Sequence, residues 1–564
     1  MSSSSIHSNN IPDLGTPKDV IDGVQVQTFD TAETPREDIF TNSAHSTDDN
    51  LLSIRGLKMR HLQLIAISGA IGSSVFLSIG SPLKGGPLPL LIGVSLWSTV
   101  VWAISNCLVE MCTLFPVEGG FVYYATRFLD PSLGFSLGWN YFICQVSLIC
   151  GEFASMNVLI AYWAPDLTPA VCIAVGLALL LFVQVFNVRL YGETEFWISI
   201  GKIFMIFGAF IFTFITMVGG NPKHDKYGFR FWKDPGPFAA DSGVDRAQAI
   251  WKAIQWGAYG IVGPDYISLV AGEVQNPRRV LPKAFNSTIY RILGFYVGGA
   301  FFAGLNAAAN DPALLGGTGA AKSPYIINMD RLGIKILPSI LVAGLLISLF
   351  SSTSSMAFAA SRTLYLLGLE GHAPRIVTRT NKYGLPYVCV LVTLALGCLS
   401  FMALGSGSAT VLSWFINLTA ATQMVTWIAI AASYIRFRAG MKAQGLGNEY
   451  LPAKGHLQPL SAWWALVWAT FALIFSGYYF FAPGTFAVAD FLFTYAAVFI
   501  FIALSIGWKI NMVIRKGQTW FGIKASEMDF KSGIAEIEEM TVVAEEKWRN
   551  EKRTKLDKFV DKIF

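Results

Sequence analysis

Long apolar stretches separated by short polar segments fill most of this chain. Residues 87–104 and 170–185 are examples that contain no charged side chain. A helix needs about 20 mostly apolar residues to cross a hydrocarbon core of about 30 Å. Because the runs do not alternate between apolar and polar positions, helices rather than barrel strands are the predicted spanning elements. The pattern predicts twelve membrane-spanning helices, near residues 61–80, 88–114, 135–163, 169–187, 196–219, 250–271, 284–308, 336–366, 386–404, 410–436, 461–481 and 489–512.

Composition and charge agree with a polytopic membrane protein. Apolar residues make up 53% of the chain and charged residues 14%, whereas soluble proteins carry about 25% charged residues. Basic residues gather in the loops on one side of the predicted bundle, which predicts that both termini are cytoplasmic. These residues are Arg127, Arg189, Arg278, Arg279, Lys283, Arg375, Arg379, Lys382, Arg436, Arg438, Lys442 and Lys454. The net charge of +5 reflects this asymmetry, so it does not predict a nucleic-acid partner.

The two ends of the chain differ from the apolar middle. We divide the chain into a cytoplasmic tail over 1–59, a twelve-helix membrane domain over 60–512 and a second cytoplasmic tail over 513–564. The first tail is rich in Ser and Thr and has no apolar core, so we predict disorder and no cleaved signal peptide. The second tail carries apolar residues at helical spacing, at Ile534, Ile537, Met540 and Val543. This spacing predicts a short amphipathic helix on the cytoplasmic face or at anionic lipid; a solvated tail is the alternative.

The polar residues show no pattern typical of an enzyme. The seven cysteines fall inside predicted spans and lack the spacing of metal ligands or of a disulfide framework. The chain has no G-x-x-x-x-G-K-[ST] phosphate-binding loop, and its six histidines lie in tails, loops or a span end. We therefore predict no enzymatic activity, no metal and no cofactor.

Two predicted spans interrupt their own helices. Residues 68–76 in the first span contain six small residues, and residues 257–265 in the sixth combine three glycines, a proline and a carboxylate. Interrupted helices at matching positions of two five-span halves are typical of inverted-repeat transporters. Their freed N–H groups can hold a substrate carboxylate, and their freed carbonyls can hold an ammonium group. Close packing of small residues is the alternative for the first segment.

The same segments carry a resemblance to a known family. The chain resembles fungal amino acid permeases of the amino acid–polyamine–organocation superfamily. The matching stretches are 67–80 (G-x-I-G-T-G-L-F in the family), 124–128 (Y-A-T-R-F), 232–238, 271–284 (A-G-E-x-x-N-P-R-x-x-x-P-K-A) and 360–364. The resemblance implies a LeuT-like fold, with two inverted repeats of five helices plus two further helices. It also implies import of an amino acid with protons at the plasma membrane by alternating access.

The resemblance also implies a substrate site. Ser73, Ser74 and nearby backbone would bind the substrate carboxylate, and the segment 259–263 would bind the amino group, with Tyr259 at an aromatic gate. The candidate substrate-binding residues are Gly69, Ile71, Gly72, Ser73, Ser74, Glu152, Tyr259, Gly260, Ile261, Gly263, Asp265 and Ser354.

The site departs from the family pattern at Ser74, Asp265 and Ser354, which puts the identity of the substrate in doubt. A polyamine or a carnitine-like amine is therefore an alternative cargo. A non-transporting sensor is a second alternative, although sensors of this family carry a much longer N-terminal extension. The family also makes ubiquitin ligases plausible partners of the tails.

Charged residues inside predicted spans are candidates for coupling because a buried charge costs at least about 2.5 kcal/mol on insertion scales. Lys202 aligns with a family lysine that stands where sodium-coupled relatives bind Na⁺. Burial favours the neutral amine, which would permit proton release; snorkelling to the interface is the alternative. Glu152 is the second candidate for proton coupling. Glu110 is predicted to form a structural ion pair, and the serine run 351–355 either a remnant sodium site or interhelical hydrogen bonds.

Overall fold

The protein is described by a computed structural model that covers residues 74–186, 188–274, 276–316, 323–381, 384–481, 486–520 and 522–550, and the regular secondary structure in these ranges is helical. The main helices are α1 Ser74–Leu83, α2 Pro87–Leu114, α3 Pro131–Ile160, α4 Pro169–Phe186, α5 Val188–Met217, α6a Gly243–Gly260, α6b Pro264–Leu269, α7 Pro277–Asn306, α8 Leu337–Leu369, α9 Tyr387–Ser406, α10 Ser408–Ala443, α11 Leu460–Phe480, α12 Val488–Lys516 and α13 Ile534–Asn550. Shorter helices are Phe121–Phe128, Arg230–Lys233, Pro312–Gly316 and Pro324–Arg331. Short 3-10 turns lie at Ala271–Glu273, Arg375–Thr378, Asn448–Tyr450 and Ala525–Glu527.

Nine helices within the described ranges are long and apolar enough to cross a membrane, namely α2, α3, α5 and α7 to α12. Two further apolar helices, α1 and α4, are shorter, and the sixth predicted span is divided into α6a and α6b. The predicted all-helical membrane fold is confirmed. The count of twelve spans stays a prediction, because the tail over 1–59 and most of the first span lie outside the described residues.

Local sequence signals set several helix boundaries. Asp130 caps α3, since its Oδ1 accepts hydrogen bonds from the Ser132 N–H at 2.9 Å and from the Ser132 hydroxyl at 2.6 Å. Pro131 follows at the first helical position, where its missing N–H costs nothing. At the other end of the chain, α12 continues past the predicted boundary at 512 and stops at Gly517, which adopts the left-handed conformation with φ 61°.

Helix burial separates a packed centre from a lipid-facing rim. In α3, 83% of the most apolar 18-residue window is buried, whereas in α12 the share is 11%. The outer face of α5 exposes Trp197 and Phe204. In a membrane protein such exposed apolar side chains contact lipid. The polar groups that α5 carries on its other face therefore point into the bundle.

The C-terminal segment is docked against the bundle. Phe530 is buried between Phe128 and Phe437, with ring centroids 5.5 Å apart in both pairs. The Tyr450 hydroxyl donates a hydrogen bond to the Phe530 carbonyl oxygen at 2.8 Å. The predicted helix is present as α13, with Ile537 buried. The structure therefore favours docking of this segment over a solvated tail.

Candidate transport site

The interruption of the sixth span is present where the sequence predicts it. Helix α6a ends at Gly260 and α6b begins at Pro264. Gly263 lies between them with φ 142°, a conformation that side chains with a Cβ rarely adopt. The first span also departs from α-helical geometry, because Ser74–Ser78 is a π-helical turn. The two predicted irregular segments are thus real features of the backbone in the described part of the chain.

The two irregular segments lie against each other. A Cβ added to Gly260 would approach the Ser74 Cβ to 3.1 Å. The Trp256 Nε1–H donates a hydrogen bond to the Ser78 hydroxyl at 2.9 Å, which ties α6a to α1. Tyr259 is buried beside this contact. The structure therefore brings one candidate of each segment, Ser74 and Gly260, into contact; Gly69, Ile71, Gly72 and Ser73 lie outside the described residues.

Asp265 is buried at the start of α6b, with 3% of its surface exposed. The Trp427 Nε1–H points at its Oδ1 from 3.5 Å, and Trp427 packs on Trp97 with ring centroids 5.6 Å apart. A carboxylate in this position stabilises a helix N-terminus. Its position in the first turn of α6b and its Trp427 partner favour a role within the protein over binding of a cationic substrate.

Lys202 lies in the interface between α5 and α8. It is 2% exposed, and its Nζ donates a hydrogen bond to the Ser352 hydroxyl at 3.1 Å. This contact argues against snorkelling, because the ammonium group binds a neighbouring helix inside the bundle. Glu195 and Glu152 both act electrostatically on Lys202. The two residues predicted for proton coupling, Lys202 and Glu152, are therefore brought near one another.

Glu195 is the polar residue of this cluster that sequence reasoning missed. Its Oε1 accepts hydrogen bonds from the hydroxyls of Ser351 at 2.6 Å and Ser355 at 3.1 Å. The predicted fifth span begins at residue 196, one residue after Glu195. The available signal was the spacing of Glu195, Ser199 and Lys202, which places three polar residues on one face of α5.

Ser354 lies on another side of α8 from the lysine contact. Its carbonyl oxygen accepts a hydrogen bond from the Gln184 side chain of α4 at 2.7 Å, and its hydroxyl lies 3.2 Å from the same amide nitrogen. Ser351, Ser352 and Ser355 instead contact residues of α5. The interhelical hydrogen bonds predicted for the run 351–355 are therefore confirmed.

The predicted structural ion pair of Glu110 is confirmed. Its Oε2 accepts a hydrogen bond from the Tyr434 hydroxyl at 2.6 Å and lies 3.0 Å from the Arg438 Nε, with which it forms an ion pair. Its Oε1 accepts from the Arg438 Nη2 at 3.2 Å and from the Gly455 N–H at 2.9 Å. This network joins α2 to α10 and to the loop that follows α10.

A groove of about 510 Å³ runs between α5 and α8 on the outside of the bundle. Its walls include Phe204, Met205, Ile340 and Ile347, with Lys202 at one edge. Phe204 and Ile340 are largely exposed, so the groove faces lipid. Its apolar lining suits hydrocarbon and does not suit a zwitterionic amino acid.

The profile of the family described as amino acid permease matches residues 61–520. The chain belongs to the amino acid permease family. This permease is 38% identical to a proline-specific permease of Emericella nidulans, over 87% of this chain and 90% of the relative. It is 37% identical to the general amino acid permease AGP2 of Saccharomyces cerevisiae, over 86% of this chain and 83% of the relative. Identity to the proline-specific permease of Saccharomyces cerevisiae is 35%, over 87% and 80% of the two chains.

Among solved structures, the permease is similar to a manganese transporter of Eremococcus coleocola in complex with an aromatic bis-isothiourea compound. The TM-score is 0.49 at 13% identity, over 83% of this chain and 95% of the transporter. That likeness is too weak to support an argument. The family match confirms the resemblance drawn from the motifs and, with the apolar helices, a multi-pass membrane protein.

Proposed function

We propose that this permease is a secondary active transporter that imports amino acids by proton symport, with alternating access to a central site. The observation that carries the proposal is Lys202, a buried lysine hydrogen-bonded to Ser352 in the interior of the bundle. A buried ammonium group is costly unless it is compensated. A lysine in such a place is able to exchange its proton as its surroundings change.

The substrate site in this proposal is formed where α1 meets α6. The amino acid carboxylate binds at the irregular part of α1, through Ser73, Ser74 and backbone N–H groups. The ammonium group binds at the carbonyl groups of the α6 interruption. The full set is Gly69, Ile71, Gly72, Ser73, Ser74, Glu152, Tyr259, Gly260, Ile261, Gly263, Asp265 and Ser354, with Lys202 and Glu152 coupling transport to protons. The contact between Gly260 and Ser74 supports this placement.

Proline and small neutral amino acids are the proposed cargo. Two of the relatives at 35–38% identity are named proline-specific permeases. Relatives named for dicarboxylic and basic amino acids are less similar, at 32% identity. The Asp265 carboxylate is buried and accepts a hydrogen bond from the Trp427 Nε1–H, so it already has a partner within the protein. That commitment speaks against a polyamine, whose charges need free carboxylates.

The orientation in this proposal places both termini in the cytoplasm of a plasma-membrane protein. Arg127 bonds to Asp529 at 3.2 Å, and the Arg436 guanidinium bonds to the Ile523 carbonyl. The basic loops and the C-terminal segment therefore share one side, which the positive-inside rule assigns to the cytoplasm. Ubiquitin ligases acting on the tails belong to the same proposal.

The orientation is tested by adding a protease to intact spheroplasts. Both tails should resist cleavage, and a tail that is cleaved from outside would contradict the orientation.

Transport is tested by reconstituting the purified protein into liposomes and making the outside acidic. Uptake of labelled proline, other amino acids, spermidine and carnitine is then followed with and without an uncoupler. We expect accumulation of proline that the uncoupler abolishes. Lys202→Ala should retain proline exchange and lose accumulation, because the proton site is removed while the substrate site remains. Lys442→Ala, at an exposed lysine near the end of α10, is the control.

Other outcomes of this experiment separate the alternatives. Uptake of spermidine or carnitine alone would overturn the proposed cargo but keep transport. Binding of an amino acid without any flux would contradict the transporter and favour a sensor. Accumulation by Lys202→Ala equal to that of the native protein would remove Lys202 from coupling.

A further inference from the structure

We propose that Glu195 is a second obligatory member of the proton-coupling apparatus, so that the transported proton is shared within a buried cluster and is not held by Lys202 alone. The inference rests on the proposed proton symport and extends it. It starts from the inward face of α5. Glu195, Ser199 and Lys202 follow one another at helical spacing on that face, and all three are at most 3% exposed.

The two ionisable residues of this face, Glu195 and Lys202, both form hydrogen bonds with serine hydroxyls of α8. The Glu195 Oε1 accepts from the Ser351 and Ser355 hydroxyls, and the Lys202 Nζ donates to the Ser352 hydroxyl. Hydroxyl groups both donate and accept hydrogen bonds. The same serines can therefore bond to either protonation state of the carboxyl or the amine by rotating a hydrogen. Neither state would require the helices to separate.

The cluster combines groups of opposite charge. Glu195 and Glu152 both act electrostatically on Lys202, and the Gln184 side chain that α4 places against Ser354 is uncharged. Unbalanced charge in the membrane interior is costly. A proton that enters or leaves one of these groups therefore changes the electrostatic energy of the others.

In the proposed cycle a proton from the outer solution binds the cluster, forming one O–H or N–H bond. The same proton leaves to water on the inner side after the site reopens there. No other bond changes. Glu195 is the member that the Ser351 and Ser355 hydroxyls orient, and its carboxylate is one of the groups that can hold that proton.

A structural role for Glu195 is the competing explanation, since its two hydrogen bonds also tie α5 to α8. Glu195→Gln separates the two roles. The glutamine carbonyl can still accept from Ser351 and Ser355, while the charge is lost. Ser351→Ala with Ser355→Ala makes the opposite change, keeping the carboxylate and removing its hydroxyl partners. Glu195→Asp is the conservative rescue variant.

The experiment uses full-length protein in liposomes, with three readouts: proline exchange, proline accumulation under a proton gradient, and proton uptake reported by a trapped pH dye. We expect Glu195→Gln to keep exchange, to lose accumulation and proline-dependent proton uptake, and to flatten the dependence of exchange on pH. Glu195→Asp should restore part of the accumulation. The double serine variant should retain the pH dependence even where its yield falls.

The outcomes distinguish this inference from the proposed function. Native protein that exchanges proline without proton uptake would overturn proton symport itself, whatever the variants do. Native protein that couples normally, with Glu195→Gln accumulating proline equally well and with the same pH profile, would overturn the role of Glu195 alone. If the Glu195→Gln variant does not fold, Glu195→Asp is tested in its place. The inference then requires that proline exchange by Glu195→Asp depends on pH differently from exchange by the native protein.

Discussion

Two buried ionic clusters of the permease differ in how completely their charges are fixed. The Glu110 carboxylate accepts three hydrogen bonds, one of them from the Arg438 guanidinium, and forms an ion pair with the Arg438 Nε at 3.0 Å. An arginine does not lose its proton in proteins, so this cluster has one stable charge state. The cluster of Lys202 and Glu195 instead combines a lysine with serine hydroxyls, which tolerate several protonation states. The first arrangement suits a structural joint, and the second suits a group that must bind and release protons.

The comparison predicts that the two clusters respond differently to the loss of their cation. Arg438→Ala leaves the fully buried Glu110 carboxylate without its guanidinium, and breaking a buried pair costs about 3–5 kcal/mol. Because Arg438 is 22% exposed, we expect the lower end of that range. The yield of monodisperse protein in detergent should fall sharply and its thermal unfolding should come earlier. Lys202→Ala should stay folded, because its glutamates can take up a proton. Equal destabilisation by both variants would break the comparison.

The structural joint extends to the C-terminal segment through Asn448, which accepts a hydrogen bond from the Arg438 Nη1 at 2.6 Å, and through the contact of Tyr450 with Phe530. Phe530→Ala empties a buried aromatic site, a change that costs about 3 kcal/mol or more in protein cores. We expect the segment to detach, which limited proteolysis would report as faster cleavage near residues 518–533. Proline exchange should persist. Trp520→Ala, at an exposed aromatic residue, is the control, and an unchanged cleavage rate in Phe530→Ala would contradict the docking.

The smallest predicted effect concerns pH at the same docking surface. Partial burial raises the pKa of Asp529, but hydrogen bonds from Ser532 and Lys531 and the charge of Arg127 outweigh it and leave the pKa below its ordinary value. A lowered pKa in the docked state stabilises docking above about pH 4, and this contribution is lost as pH falls further. Cleavage of the segment by an acid-active protease should therefore increase below that pH.

Asp529→Asn provides the control for this titration, because it removes the ionisable group. Its cleavage should show no change over the same pH window. The effect is expected to be modest, since the Asp529 side chain is 46% exposed and solvent weakens its pairing with Arg127. If the native protein and Asp529→Asn are cleaved at the same rate at every pH, the titration of Asp529 does not control docking and the prediction is wrong.

Features with a strong local signal were predictable from the sequence. Glycines and a proline mark the interruption between α6a and α6b, and a lysine inside an apolar run marks Lys202 whatever its partners are. Glu195 was missed because the residues before it, Glu193 and Thr194, are polar, so the predicted span begins one residue after it. A search for polar residues at helical spacing, in addition to the mean hydropathy of a segment, would have included Glu195.

Contacts between distant segments were not predictable in this way. The pairing of Asp265 with Trp427 joins residues far apart in the chain, and nothing near either residue specifies the other. The burial of Phe530 likewise depends on the packing of Phe128 and Phe437, which only the folded bundle brings together. The sequence could therefore indicate that α13 is amphipathic, but not which surface the preceding segment covers.

The central claim is that proline and protons move together through a site coupled to Lys202 and Glu195. The most direct measurement follows both fluxes at once in liposomes containing the native protein, with labelled proline added outside and a pH dye inside, and no imposed gradient. The account predicts internal acidification that begins with proline entry, requires proline and disappears in Glu195→Gln. Proline entry with no change of internal pH would contradict it.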